Sequence, residues 1–237
     1  MRPLTAAASL IALLAACGER APAPAADPAA TPPAAETPAP ATASGTLPTA
    51  PAPGEQANTS DWRQVASTAD ISNLGRLDQA WRLARAEAED KGFASEVEAL
   101  GPLVDPNAGQ PGRLQPAPGI WRCRTIKLGT KAETGLAYVA YPQFRCTVEL
   151  TPGGDLVLTK TTGSQRTRGL LYPDTDSRLV FIGAQAWGMD ETGFPTYGQQ
   201  PERDQVGVFE RIGADRWRLV IPFPRVESKL EILELNR

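Results

Sequence analysis

From Gly119 to the C terminus the chain is a succession of short segments rich in β-branched and aromatic residues, each ended by turn residues. This rhythm limits the fold more than any other feature. Strands are predicted over 120–128, 138–141, 144–150, 156–161, 179–187, 205–212, 217–222 and 230–235. Thr151-Pro152-Gly153-Gly154-Asp155 and Gly213-Ala214-Asp215 are tight hairpin turns, so the strands they join are antiparallel neighbours. About eight such strands in sequence form a meander that curls into a small barrel or a strongly curved sheet.

Upstream, the periodicity changes from two to between three and four. Ser67 or Thr68 can cap a helix, and Asp70 suits its N-terminal dipole. Ile71, Leu74, Leu77, Trp81, Ala84 and Ala88 then form one apolar face, and Gly92 is a natural stop. A short second helix is expected over 95–100, and Pro102, Pro106, Pro111, Pro116 and Pro118 make the following stretch a loop. The predicted class is mainly β with an N-terminal helical segment (α+β), an antiparallel meander capped by one long helix. Residues 59–112 form the helical segment and proline-rich loop, residues 113–237 the β domain, and the two pack as one globular unit. Gly119-Ile120-Trp121 resembles the G-x-W of lipocalin-like barrels, in which an arginine from a late strand covers the tryptophan; Arg216 and Arg218 are the candidates here.

The N terminus reads as an address. Arg2 precedes an apolar run over 4–16 that is too short, at about 20 Å of helix, to cross a hydrocarbon core of about 30 Å. It has signal-peptide architecture, predicted over 1–16. Leu14-Ala15-Ala16-Cys17 resembles the lipobox of bacterial lipoproteins, in which the cysteine is acylated and becomes the mature N terminus. An ordinary secretory peptide with a coincidental cysteine is the alternative. Acyl chains on Cys17 would hold the protein on a lipid bilayer, each buried CH₂ contributing roughly 0.8 kcal/mol. Gly18, in place of the aspartate that marks inner-membrane retention in such proteins, points to the outer membrane facing the periplasm. The rest of residues 17–58 is dominated by Ala and Pro with almost nothing bulky to bury, the composition of a disordered tether.

Composition narrows the chemistry. Among 237 residues there is no histidine, which removes the commonest general base, the usual partner of a Ser or Cys nucleophile and the commonest zinc ligand. A formal net charge of −3 offers no basic excess for phosphates, so nucleic acid is not an expected partner, and neither a cofactor nor a metal is expected. Cys123 and Cys146 fall on two predicted strands, and in an oxidising compartment their default is a disulfide, with a redox pair as the alternative. Arg166, Arg168 and Arg203 are candidates to hold an anionic group, and Asp174, Asp176 and Asp204 to act as acid, base or oxygen ligand, provided the curling sheet brings them to one rim. Their alternative is a set of turn residues and surface ion pairs. The 188–200 segment, with Asp190, Glu191, Phe194 and Tyr197, is the longest break between strands and either a lid or a mobile loop.

Taken together, the segments resemble an uncharacterised family of bacterial proteins, a domain of unknown function found mostly in lipoproteins and secreted proteins. The resemblance rests on Trp121-Arg122-Cys123-Arg124, Phe144-Arg145-Cys146, Thr162-Gly163-Ser164-Gln165-Arg166, Leu171-Tyr172-Pro173-Asp174, Glu202-Arg203-Asp204 and Arg216-Trp217-Arg218-Leu219, with Asp61-Trp62-Arg63 and Ala80-Trp81 upstream. It implies that the two cysteines and the polar segments are family features, and it supplies no activity. The expected function is a non-enzymatic envelope lipoprotein binding a small molecule, a lipid or another envelope component. The alternative is an envelope hydrolase working through the aspartates and arginines named above.

Overall fold

A computed structural model of the chain describes residues 61–237. The signal peptide, Cys17 and the tether predicted for 1–58 lie outside the described residues. Among the described residues are nine strands: β1 (Gly119–Leu128), β2 (Tyr138–Ala140), β3 (Phe144–Leu150), β4 (Leu156–Lys160), β5 (Gln165–Pro173), β6 (Arg178–Trp187), β7 (Asp204–Gly213), β8 (Arg216–Pro222) and β9 (Leu230–Asn236). Each of β3 to β8 pairs antiparallel with the next, and β1 pairs with both β3 and β9, so the sheet closes into a barrel of eight staves. The ninth strand, β2, lies beside the end of β1, with Ile126 opposite Ala140, beyond the point where β3 leaves off. Of the two predicted forms, barrel and open curved sheet, the chain adopts the barrel, which removes unpaired edges.

Alternation along the strands builds the interior. Trp121, Cys123, Cys146, Val148, Leu158, Phe181, Phe209, Trp217, Leu219 and Leu235 point inward into one continuous core. Cys123 and Cys146 are bonded there, with Cα atoms 5.9 Å apart, linking β1 to β3. Gly169 and Gly183 face each other across β5 and β6. A Cβ on Gly169 would lie 2.4 Å from the Ile182 carbonyl oxygen and 2.6 Å from the Phe181 ring, and one on Gly183 would lie 2.1 Å from the Arg168 oxygen. The missing side chains let the wall curl and seat Phe181. β5 is the one stave absent from the predicted strands. Its first half, Gln165-Arg166-Thr167-Arg168-Gly169, is polar with a glycine, which reads as a turn; the pattern fails because the barrel wall there is polar on both faces.

The helical segment forms an outer layer. α1 (Thr68–Gly75) is capped by Ser67, whose side chain accepts from the Asp70 amide, and α2 (Leu77–Ala88) starts afresh after a break at Arg76. A π-type turn, Glu89–Phe93, with Gly92 at φ 93°, leads to α3 (Ala94–Glu98). The predicted long capping helix runs from Leu77 through the π-type turn to Glu98, and the start expected at Thr68 is set apart as the short α1, because the two serve different surfaces. Ile71 and Leu74 of α1 pack with Val180, Ile182 and Val206 on β6 and β7. Trp81, Ala84 and Ala88 of α2 pack with Ile126, Val220 and Ile232 on β1, β8 and β9.

The proline-rich loop is tied to the barrel through backbone carbonyls. Trp217 Nε1 donates to Leu114 O (2.8 Å) and Trp121 Nε1 to Ala117 O (3.0 Å). Arg218, fully buried, donates to Pro102 O (3.0 Å), Leu103 O (3.0 Å) and Asp105 O (2.7 Å), and pairs with Glu210 (2.7 Å). The arginine covering Trp121 is therefore neither Arg216 nor Arg218. Arg216 pairs with Glu234 on the outer wall, Arg218 lies over Trp81, and Arg237, just past β9, stacks 4.0 Å from the Trp121 ring. Strand parity explains the correction: Trp217 points inward, so its neighbours on β8 point out.

Candidate functional site

The six polar candidates separate into two groups at opposite ends of the β5–β6 pair, since Gln165 lies opposite Trp187 at one end and Pro173 opposite Leu179 at the other. Asp174 and Asp176 belong to the second end. Asp176 is exposed on the turn. The Asp174 side chain is buried and accepts from Trp62 Nε1 (2.8 Å), Arg178 Nε (2.7 Å) and Arg63 Nη2 (3.4 Å). Burial would raise its carboxyl, but those hydrogen bonds and arginine charges outweigh it and hold the pKa low. It fastens the start of the helical segment to the barrel.

Arg166, Arg203 and Asp204 surround the 188–203 connection instead. Arg203 Nη1 donates to both oxygens of Glu191 (2.8 Å each) and its guanidinium lies 4.6 Å from the Trp187 ring. Arg166 donates to the carbonyls of Gly188 (3.2 Å) and Glu191 (2.5 Å). Asp204, at the start of β7, accepts from Gly198 N (2.9 Å), and burial pushes its pKa up. Tyr197 closes the loop onto α1: its hydroxyl donates to Asp70 (2.6 Å) and accepts from Ser67 N (2.8 Å), while burial and Asp70 push its pKa up to about 12. These residues, read from the sequence as a ligand site, build the frame of a loop.

That loop roofs a groove of about 380 Å³ on the outer face of β4, β5 and β6. Val157, Leu170 and Ile182 form its floor, Phe194, Pro195 and Tyr197 its wall, and Arg168 supplies a positive charge, with its guanidinium 6.0 Å from the Phe194 ring. The volume falls in the range of small-molecule sites, and an apolar floor with a single cation suits a ligand with an apolar body and one anionic group. Of the six candidates, Arg168 alone lines this groove. Val157, Leu170 and Ile182 gave no sequence signal, because an apolar side chain on an outer barrel wall looks like any strand residue until the roof is in place.

A second polar cluster was missed entirely. At the end of the barrel near Leu128, Lys160 and Trp187, the interior changes from apolar to polar: Lys127, Lys160, Gln165, Thr167, Gln185, Gln205 and Glu231 occupy inward positions. Burial pushes Lys160 down to about 8, although Glu231 opposes it. Burial raises Glu231 despite Lys127 and Lys160; burial would lower Lys127, but the charges of Glu231 and Glu227 raise it overall. The signal was present as parity. Counting by twos from Trp121 and Cys123 places Thr125 and Lys127 inside.

Among the described residues no group of three or more Asp, Glu, Cys or His side chains is arranged to hold a metal ion, and no helix is long and apolar enough to cross a membrane. The architecture is that of a lipocalin-like, helix-capped antiparallel barrel with a roofed groove on its outer wall. The chain belongs to the DUF4893 family, described as a domain of unknown function, whose model matches residues 62–235 and so spans nearly the whole described fold. No curated protein and no solved structure matches it.

Proposed function

We propose that the protein is a lipid-anchored component of the bacterial cell envelope, held on the outer membrane through acylated Cys17, whose barrel is a binding module for a small amphipathic anion. The observation that carries the binding reading is the groove: about 380 Å³, apolar floor, aromatic wall, and Arg168 at its side. The hydrolase reading is weaker, because the residues it needs are engaged elsewhere. Asp174 is saturated by Trp62, Arg178 and Arg63, and Arg203 is held in an ion pair with Glu191. The lipobox-like Leu14-Ala15-Ala16-Cys17 and the Ala/Pro-rich stretch behind it support the anchor, since such a stretch lets a domain stand clear of a bilayer.

Two experiments separate these parts. Mass spectrometry of the mature N-terminal peptide is expected to show a diacylglyceryl Cys17, and Cys17→Ser to move the protein from the membrane to the soluble fraction; an unmodified Cys17 would defeat the anchor. Native mass spectrometry of the purified domain is expected to show a copurified small acid, lost in Arg168→Met. Equal ligand content in the two would defeat the groove.

A further inference from the structure

The polar end of the barrel carries an unbalanced charge. Among the described residues, its inward-facing ionisable side chains are Lys127, Lys160 and Glu231, two bases against one acid, while Arg203 beside them is paired with Glu191. The balance is restored from outside. Glu227, on the loop between β8 and β9, has a side chain 49% exposed, yet its carboxylate reaches down to Lys127, whose side chain is 4% exposed. One Glu227 oxygen takes Lys127 Nζ and the other accepts from Gln165 Nε2 at 2.9 Å. This is a two-point carboxylate grip, an ammonium and an amide, set into the mouth of a barrel.

The loop that delivers Glu227 is held in an unfavourable backbone. Phe223 (φ 48°) and Glu227 (φ 66°) both lie in the left-handed region that side-chain-bearing residues rarely adopt. It is tied down by Lys131 Nζ donating to Pro224 O, by Arg225 on Asp70 (2.8 Å) and by Lys131 N donating to Glu227 O (2.9 Å). Beneath it, the interior is incompletely satisfied. Gln205 Oε1, Thr167 Oγ1 and Ser228 Oγ are buried without a hydrogen-bond partner among the described residues, and Gln205 lines, with Gln185 and Glu231, a cavity of about 10 Å³ under Pro224 and Val226. Buried lysines and a buried glutamate are costly, and an apolar plug would close a small barrel more stably, so their presence calls for chemistry that packing does not supply.

We propose that the mouth of the barrel is a second binding site, for the carboxylate of a small polar molecule, and that Glu227 is a built-in occupant that such a ligand displaces. Lys127 and Gln165 grip the incoming carboxylate as they now grip Glu227. Once the loop lifts, Thr167, Gln185 and Gln205 offer hydroxyl and amide groups to the rest of the ligand. The site lies inside the barrel, separate from the groove on its outer wall, and stands whether or not Arg168 binds anything.

The test removes the occupant and offers a substitute. Glu227→Ala, and Glu227→Gln as a variant that keeps the shape, are titrated with acetate against equal acetamide, at constant ionic strength, following Tm and tryptophan fluorescence. Acetate is expected to raise the Tm of Glu227→Ala saturably, acetamide to leave it unchanged, and wild type to need at least about tenfold more acetate because its own carboxylate competes. Glu227→Ala with Lys127→Met is expected to lose the response. Indifference of both Glu227 variants to acetate, an equal response to acetamide, or a response that survives Lys127→Met would overturn the proposal.

Discussion

Arg218 shows how much one side chain can organise. It has no exposure to solvent, pairs with Glu210, and donates to three carbonyls of the proline-rich segment, Pro102 O, Leu103 O and Asp105 O, the last of which also accepts from Ala108 N. Arg218→Ala strands the Glu210 carboxylate and takes the arginine donor from Pro102 O and Leu103 O, so we expect a loss of about 3–5 kcal/mol in urea unfolding. Arg216→Ala, two residues away on the same strand, removes a partly exposed side chain whose buried partner Glu234 keeps its pair with Arg124, and is expected to cost about 1 kcal/mol or less. The sequence showed an arginine-rich β8 and a tryptophan to be covered, but it assigned the cover wrongly. Which arginine meets Trp121 depends on where the chain lies after β9, and Arg237 carries no local mark of that role. Gly169 and Gly183 were equally silent: only the pairing of β5 with β6 reveals that a methyl on either would strike backbone. Gly183→Ala should fold poorly, read as loss of the cooperative unfolding transition, whereas Gly193→Ala, in open space, should not.

At the level of elements, most strands were legible because one face is buried and the other is not, which is what alternation reports. β5 was not, since both of its faces are polar over the first half. The long helix was legible as an apolar stripe, but the break at Arg76 that sets α1 apart was not, because it answers to the two outer walls the segment must cover. The halves give separable predictions. Trp81→Ala on α2 removes a side chain 4% exposed and is expected to cost about 3–5 kcal/mol. Tyr197→Phe removes the hydroxyl that ties the 188–203 loop to Ser67 and Asp70, and is expected to speed amide exchange in that loop with a smaller change, about 1 kcal/mol, in global stability. The candidate site was legible only through its frame. Arg166, Arg203 and Asp204 were found because charge is conspicuous, and they proved to hold the roof; the apolar floor beneath it was not conspicuous at all.

The whole molecule has a stability profile set by its paired and buried charges. Asp174, Glu87 and Glu227 have pKa values held low in the fold, so the unfolded chain binds more protons in the acid range and their stabilisation is lost as pH falls below the ordinary carboxylate values of 3.8 and 4.5. Lys160 has the opposite consequence at high pH. Its pKa drops from 10.5 to about 8, so between those values the unfolded chain holds the extra proton and stability from this residue rises with pH. Unfolding free energies of wild type and Lys160→Met measured from pH 7.5 to 10 should therefore show a steeper upward slope in wild type. Equal slopes would place Lys160 in water rather than in the barrel. The bond between Cys123 and Cys146 closes a loop spanning 23 positions and is expected to contribute about 3 kcal/mol, measured by unfolding with and without reductant. The fold and the bond were legible in the sequence, since two cysteines on predicted strands pair by default in the oxidising compartment expected for this chain.

The central claim is that the groove beneath the 188–200 loop binds an amphipathic anion through Arg168. Isothermal titration of the folded domain with decanoate, below its micelle concentration, tests it most directly, with decanol and the Arg168→Met variant as controls. The account predicts one decanoate per protein, affinity weakened at least about tenfold by Arg168→Met, and decanol binding more weakly and indifferent to that substitution. Decanoate binding of equal strength in wild type and Arg168→Met, or no binding to either, would contradict it.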